Sequence, residues 1–174
     1  MATVEDRLAA LERRLLDAED RLAIINLVTS YGPAVDHCDV QLAADTVWTE
    51  DGTYDLADRF ATGRADIEKM VNSDRHKMQV SNGIAHVMAP PHIQVNGDSA
   101  VATAYSMVFT HYTGVFSLWR VSVNRFELVR TAQGWKVQYR FNRLLNGDPF
   151  GQKLLRDGLT AEGKSRKPTA PRRA

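Results

Sequence analysis

The stretch GIAHVMAPPHIQVNGDSAVATAYSMVFTHYTGVFSLWRVSVNRFELVRTAQGWKVQYRFNRLL, residues 83–145, decides the fold. It divides into runs rich in Val, Thr, Tyr, Phe and Trp, separated by the turn signals NGD and AQG, which is the composition of strands joined by tight turns. The candidate strands are GIAHVM (83–88), HIQV (92–95), SAVATAYSMVFTHY (99–112), SLWRVSVNRFELVR (117–130) and GWKVQYRFNRLL (134–145). Strands joined this closely pair antiparallel, because a parallel crossover needs a longer connection. The two or three longest are long enough to curl a sheet around a pocket.

Working back toward the N-terminus, the period changes from two to about three and a half. Leu8, Leu11, Leu15, Ala18, Leu22 and Ile25 recur at alternating steps of three and four, giving a helix with an apolar stripe over 4–30. Thr3 with Asp6 forms a capping start. So long a lead-in exceeds what one domain of this size needs to cover its core, so part of the stripe is expected to dock on another subunit. Pro33 removes a helix hydrogen bond and crowds the preceding turn, so a kink is expected near Tyr31. Asp39 is placed to cap a second helix, VQLAADTVW, ending at the turn TEDG. A short strand over 53–56 and a helix over 66–77 complete the first half. Helices first and a meander afterwards define an α+β fold: a cone-shaped, curved, mixed but mostly antiparallel sheet with N-terminal helices over its concave face.

The chain has 174 residues, of which 44% are hydrophobic and 25% charged, enough for one sizeable core. A single domain is expected over 1–157, followed by a basic tail, 158–174, ending GKSRKPTAPRRA, with too little apolar character to fold. The net charge of +1 argues against a nucleic-acid module, which carries a basic excess to neutralise phosphates. The single cysteine, Cys38, excludes an intrachain disulfide and fits a reducing compartment, so a cytoplasmic location is expected. No apolar run approaches the roughly 18 residues of a membrane span, and no secretory signal is read at the start.

Proton chemistry is the activity the side chains suggest. His86 falls in phase with Ile84 and Met88 on one strand face, and an imidazole in an apolar wall needs a partner. Asp36 could supply it, fixing one tautomer and leaving the other nitrogen free to accept a proton. Tyr31 could donate a phenolic hydrogen, although five residues advance a helix by about 140°, so its orientation relative to Asp36 depends on the break at Pro33. His111 alternates with Tyr105, Met107 and Phe109 and could face the same cavity. Asn124 is in phase with Phe126 and Leu128 and could bond a substrate oxygen. Arg140 and Arg143 lie on opposite faces of the last strand, one toward solvent and one available to an anion. Each of these residues also has an ordinary structural reading, as core, cap or surface. No metal-ligand spacing, P-loop or dinucleotide fingerprint occurs, so neither metal nor cofactor is expected.

These segments, VEDRLAALERRLLDAEDRLAIINLVTSYGPAVDHCD, GRADIEKM, the strand holding His86 and NRFELVRTAQGWKVQYRFNRLL, resemble the SnoaL-like branch of the nuclear transport factor 2-like superfamily. The resemblance covers most of the chain and implies the cone-shaped fold described above. Among its lyases the chain is most similar to the bile acid 7α-dehydratases, which share the charged lead-in helix and a Tyr-x-x-x-x-Asp spacing. That resemblance implies catalytic positions for Tyr31, Asp36 and His86, and favours Arg143 as the arginine of the last strand. His111 departs from it, standing where those enzymes have an acidic residue. Similarity to the scytalone dehydratases instead favours His111 and Asn124, and these two with Arg143 are the expected substrate-binding positions.

The expectation that follows is a cofactor-independent lyase, a dehydratase acting on an apolar cyclic molecule of steroid, terpenoid or polyketide type. An isomerase or polyketide cyclase on the same fold is the alternative, and so is a non-catalytic assembly protein such as the β subunit of a ring-hydroxylating dioxygenase. The expected partners are the small-molecule substrate and further copies of the chain, a homotrimer ahead of a dimer, with no nucleic acid and no membrane.

Overall fold

The computed structural model describes residues 2–160. Helix α1 runs Val4–Asp36, and a π-helical turn at Leu42–Thr46 leads into strands β1 (Trp48–Asp55) and β2 (Phe60–Thr62). Two short helices follow, α2 (Arg64–Val71) and α3 (Asp74–Asn82). Then come β3 (Ile84–Met88), β4 (His92–Asn96), β5 (Ser99–Tyr112), β6 (Val115–Thr131), β7 (Gly134–Leu144) and the closing helix α4 (Pro149–Leu159).

The strands form one curved, unclosed sheet in the order β2-β1-β7-β6-β5-β3, with β4 also paired to β5. Every pairing is antiparallel except β1 with β7. The expected mixed, mostly antiparallel cone is therefore the fold. Two bulges bend it. Val108 pairs with Arg120 and Phe109 with Leu118, leaving Trp119 extra, and Glu127 pairs with Tyr139 and Leu128 with Val137, leaving Gln138 extra. Such insertions kink a strand and raise its twist, which is how the longest strands wrap.

Period-two alternation sends Ala100, Ala102, Phe126, Leu128 and Val137 to the concave face, where they meet Ile24, Val28, Tyr31 and Val35 of α1 in one buried core. The convex face is covered by α4. Gly158 sits against Thr103 so closely that any Cβ there would overlap the threonine side chain.

The first half differs from its reading in several places. Helix α1 continues beyond residue 30, through Pro33 to Asp36. The proline ring lies on the exposed side, while Tyr31, Gly32, Ala34 and Val35 are buried, so tertiary packing offsets the single missing hydrogen bond. The helix expected over 66–77 is two, because the Ser73 hydroxyl accepts from the His76 N–H and starts a new helix. The segment VQLAADTVW is only a π-helical turn, and Trp48 already belongs to β1, which is longer than 53–56. Lys136 stabilises that turn from β7, its Nζ donating to the carbonyls of Asp45 (2.7 Å) and Thr46 (2.8 Å). Helix α4 is an addition to the expected elements and extends past residue 157, where the tail was expected to begin. The rest of that tail, from residue 161, lies outside the described residues.

Candidate active site

The site begins with a spacing on α1. Gly32 and Asp36, one helical turn apart, share a face and both meet β3. Gly32 lies directly against the backbone carbonyl of His86, a contact that leaves no room for a Cβ. This close approach lets a side chain as short as aspartate reach the strand. The Asp36 carboxylate then holds His86 twice, Oδ2 accepting the backbone N–H at 2.7 Å and Oδ1 accepting Nδ1–H at 2.5 Å. A carboxylate at Nδ1 fixes the tautomer with its proton there, which leaves Nε2 with an open lone pair. Nε2 has no protein partner among the described residues, and the His86 ring lines the cavity.

That cavity encloses about 490 Å³ between the helices and the concave face of the sheet. A space of this size suits a small organic molecule. Its walls combine apolar side chains such as Val35, Met70, Met88 and Val108 with Tyr31 and Tyr54. Its charged lining is one-sided: Arg59, Lys69, Arg75, Arg120 and Arg140 against Asp66.

Tyr31 faces a different wall from Asp36, as their angular offset on the helix requires. It is buried, edge-on to Trp48 (6.3 Å) and Tyr54 (6.2 Å), and Arg140 lies over its ring at 4.4 Å. Burial pushes the Tyr31 phenol well above the ordinary tyrosine range, with nearby Tyr54 adding to the rise and Arg140 opposing it. The hydroxyl therefore keeps its proton and can donate a hydrogen bond.

Arg140 is the cationic centre of the cavity. Its guanidinium stacks over Tyr31, Tyr54 (4.3 Å) and Phe126 (5.0 Å), and Nε donates to Asn124 Oδ1 at 2.9 Å. It pairs with no carboxylate among the described residues, and its buried Nη1 has no hydrogen-bond partner there. A buried donor left unpartnered on a charged group is costly, and such a group is well suited to an acceptor entering the cavity. Of the two arginines of the last strand, Arg140 lines the cavity and Arg143, which the resemblance favoured, does not, because of the Gln138 bulge. Regular alternation from Trp135 and Val137 would carry 139, 141 and 143 to the concave face, but the extra residue hands that face to Arg140 and Asn142. Arg143 instead binds Asp55 through Nη2–Oδ2 at 2.8 Å and lies over Phe150.

His111 also lies apart from the cavity. It alternates with Tyr105, as its spacing required, but β5 gives the cavity Ser106, Met107 and Val108, and His111 lies beyond them near the strand's end. The His111 ring packs on Phe116 at 4.7 Å, and its backbone N–H donates to Gly83 O. Asn124 is buried beneath the site, not in its wall. Its Nδ2 donates to Ser106 Oγ (2.8 Å), and its Oδ1 accepts from Arg140 Nε and Asn142 Nδ2 (2.8 Å). It thereby positions three residues that do line the cavity. Arg120 extends this network, donating to Asn142 Oδ1 at 2.7 Å.

His76 was missed as a site residue. From α3 its Nε2 donates to Val35 O at 2.8 Å, and its ring lies 6.0 Å from that of His86 in the same wall. No sequence signal marked it, since its position depends on the break at Ser73. Among the described residues no group of three or more His, Cys, Asp or Glu side chains is arranged to hold a metal. No helix there is long and apolar enough to cross a membrane.

The SnoaL-like domain family matches residues 17–141, and the chain belongs to that family. Among solved structures, an NTF2-like protein with a cystatin-like fold from Novosphingobium aromaticivorans is 36% identical, over 89% of this chain and 98% of that one, with a TM-score of 0.80. A candidate aromatic ring hydroxylase from the same organism is 28% identical over 74% and 90% of the two chains, with a TM-score of 0.58. A candidate scytalone dehydratase, again from Novosphingobium aromaticivorans, shares the fold at 18% identity, over 77% and 87%, with a TM-score of 0.61. No curated protein matches the chain significantly. Family and fold together support a small-molecule-binding protein.

Proposed function

We propose that this protein is a cofactor-independent dehydratase in which His86 Nε2 removes a proton from the carbon alpha to a carbonyl of an apolar cyclic substrate. The observation that carries the reading is the double hold of Asp36 on His86, which presents a lone pair to the cavity in a fixed direction. Asp36 keeps the imidazole in one tautomer and faces the positive charge that develops on it. The carbonyl oxygen, as it becomes an enolate, takes hydrogen bonds from Arg140 Nη1 and Tyr31, in the manner of an oxyanion site. Tyr31 acts as a donor and not as the acid, since burial holds its proton tightly. The proton taken by His86 returns to the departing beta hydroxyl, which leaves as water while the carbon–carbon double bond forms.

Each proton-transfer group typically contributes about 10²–10⁴-fold. Loss of activity in both His86→Ala and Asp36→Asn is expected, and unchanged turnover in either would sink the proposal. An isomerase would use the same abstraction without losing water, so product mass separates the two. The described ring hydroxylase among the relatives supports a second reading, an assembly subunit for a dioxygenase. That role would require an iron-containing partner and would tolerate loss of His86, whereas the dehydratase would not.

A further inference from the structure

The first half of α1 leaves the body of the protein. Asp20 accepts from Arg130 (2.6 and 2.7 Å) and from Trp135 Nε1 (3.0 Å), and Ile24 and Val28 are buried in the core. No side chain over residues 4–19 is buried, yet Val4, Leu8, Leu11 and Leu15, with Leu22 beyond the anchor, are each more than half exposed. These residues and Ala18 and Ile25 fall on one heptad frame, with Leu8, Leu15 and Leu22 at a and Val4, Leu11, Ala18 and Ile25 at d. In the same frame every e position is glutamate, at Glu5, Glu12 and Glu19, and every g position is arginine, at Arg7, Arg14 and Arg21.

We infer that this segment forms a parallel coiled coil with further copies of the same chain. The charges fix the partner and its direction. In a parallel bundle a g residue faces the e residue of the next heptad on its neighbour, so Arg7 meets Glu12 and Arg14 meets Glu19 of the adjoining helix. In an antiparallel one, g faces g and e faces e, setting arginine against arginine and glutamate against glutamate. None of Arg7, Glu12, Arg14 and Glu19 forms an ion pair within the described chain, so all four are available. Arg21 is already held by Asp17 and Ile93 O, which ends the zipper where the body begins. Leu22, the a position beyond the anchor, is 60% exposed and so leaves the seam open at the junction with the body.

The tips of β5 and β6 carry a second exposed apolar patch, including Tyr112, Phe116 and Trp119, so the test must report on the helix itself. In full-length protein, light scattering should give a whole multiple, twofold or more, of the 19.5 kDa chain mass, and hydrogen exchange should find the amides of residues 4–19 protected. Leu8→Glu/Leu15→Glu should remove that protection, as should Glu12→Arg/Glu19→Arg. Adding Arg7→Glu/Arg14→Glu to the latter pair should restore it by exchanging the charges. With Cys38 replaced by Ser, Val4→Cys should form an interchain disulfide under mild oxidation, because only a parallel bundle brings like N-termini together. Unprotected amides in the wild type, a monomeric mass, failure of the fourfold swap to restore protection, or no cross-link at position 4 would overturn the proposal.

Discussion

Replacing Gly32 by Ala should uncouple the candidate base from its carboxylate without touching either residue. A Cβ at this position would overlap the His86 carbonyl oxygen, a backbone atom that cannot rotate away. Restoring an ordinary carbon–oxygen separation of about 3.3 Å requires α1 and β3 to part by about 1 Å. The Asp36 Oδ1 to His86 Nδ1 distance, 2.5 Å, would then pass the roughly 3.2 Å limit of a useful hydrogen bond. Overpacking costs about 1–3 kcal/mol and a lost charged hydrogen bond about 1.5–3, against about 1 regained from helix propensity, so a net loss of about 1.5–5 kcal/mol is expected. The urea midpoint should fall by about 1–2.5 M. Nitrogen-15 spectra of the imidazoles should show the Nδ1–H tautomer of His86 in the wild type and a tautomer mixture in Gly32→Ala. Asp36→Asn should give the same mixture, with less lost stability because the packing survives. An unchanged midpoint together with an unchanged His86 tautomer in Gly32→Ala would refute the idea that this close approach sets the dyad.

Arg140→Met should weaken binding of a cyclic ketone by about tenfold or more, since a charged hydrogen bond to the carbonyl is worth about 1.5–3 kcal/mol, and calorimetry measures this directly. Lys136→Met should cost about 1–3 kcal/mol per carbonyl left buried and unpartnered at Asp45 and Thr46, read as a lower urea midpoint. The raised Tyr31 pKa gives a signed effect at high pH. The unfolded chain releases that proton near pH 10 while the folded one retains it, so stability is full below about pH 10 and declines above it. Tyr31→Phe should therefore show a smaller fall in urea midpoint between pH 9 and 11 than the wild type, and equal falls would contradict the buried-phenol account.

The sheet was legible from residue 83 onward because its strands are long, β-branched and punctuated by NGD and AQG. The helices between 40 and 82 were less so, since their boundaries rest on single caps such as Ser73 and on a π-helical turn that no hydrophobic period announces. Asp36 and His86 could be paired from sequence by chemistry and resemblance, but the agent of their pairing, Gly32, carries no pattern of its own. Strand alternation put Arg140 and Arg143 on opposite faces and left open which one met the pocket; the resemblance favoured Arg143, and the bulge at Gln138, which no alternation pattern registers, gives that face to Arg140. His111 followed the correct period on β5. Period alone does not say which face is concave, and Ala100, Ala102 and Ala104 show that here the small residues line it.

The central claim is that His86, held by Asp36, removes a proton from carbon alpha to a carbonyl within this cavity. Deuterium wash-in tests it without knowledge of the natural substrate: the protein is incubated in heavy water with a panel of apolar cyclic ketones, and their masses are followed over time. Wild type should exchange the alpha hydrogens of at least one ketone at least about 100-fold faster than His86→Ala or Asp36→Asn, the lower bound for a positioned base. Exchange no faster in the wild type than in His86→Ala across the panel would contradict the account.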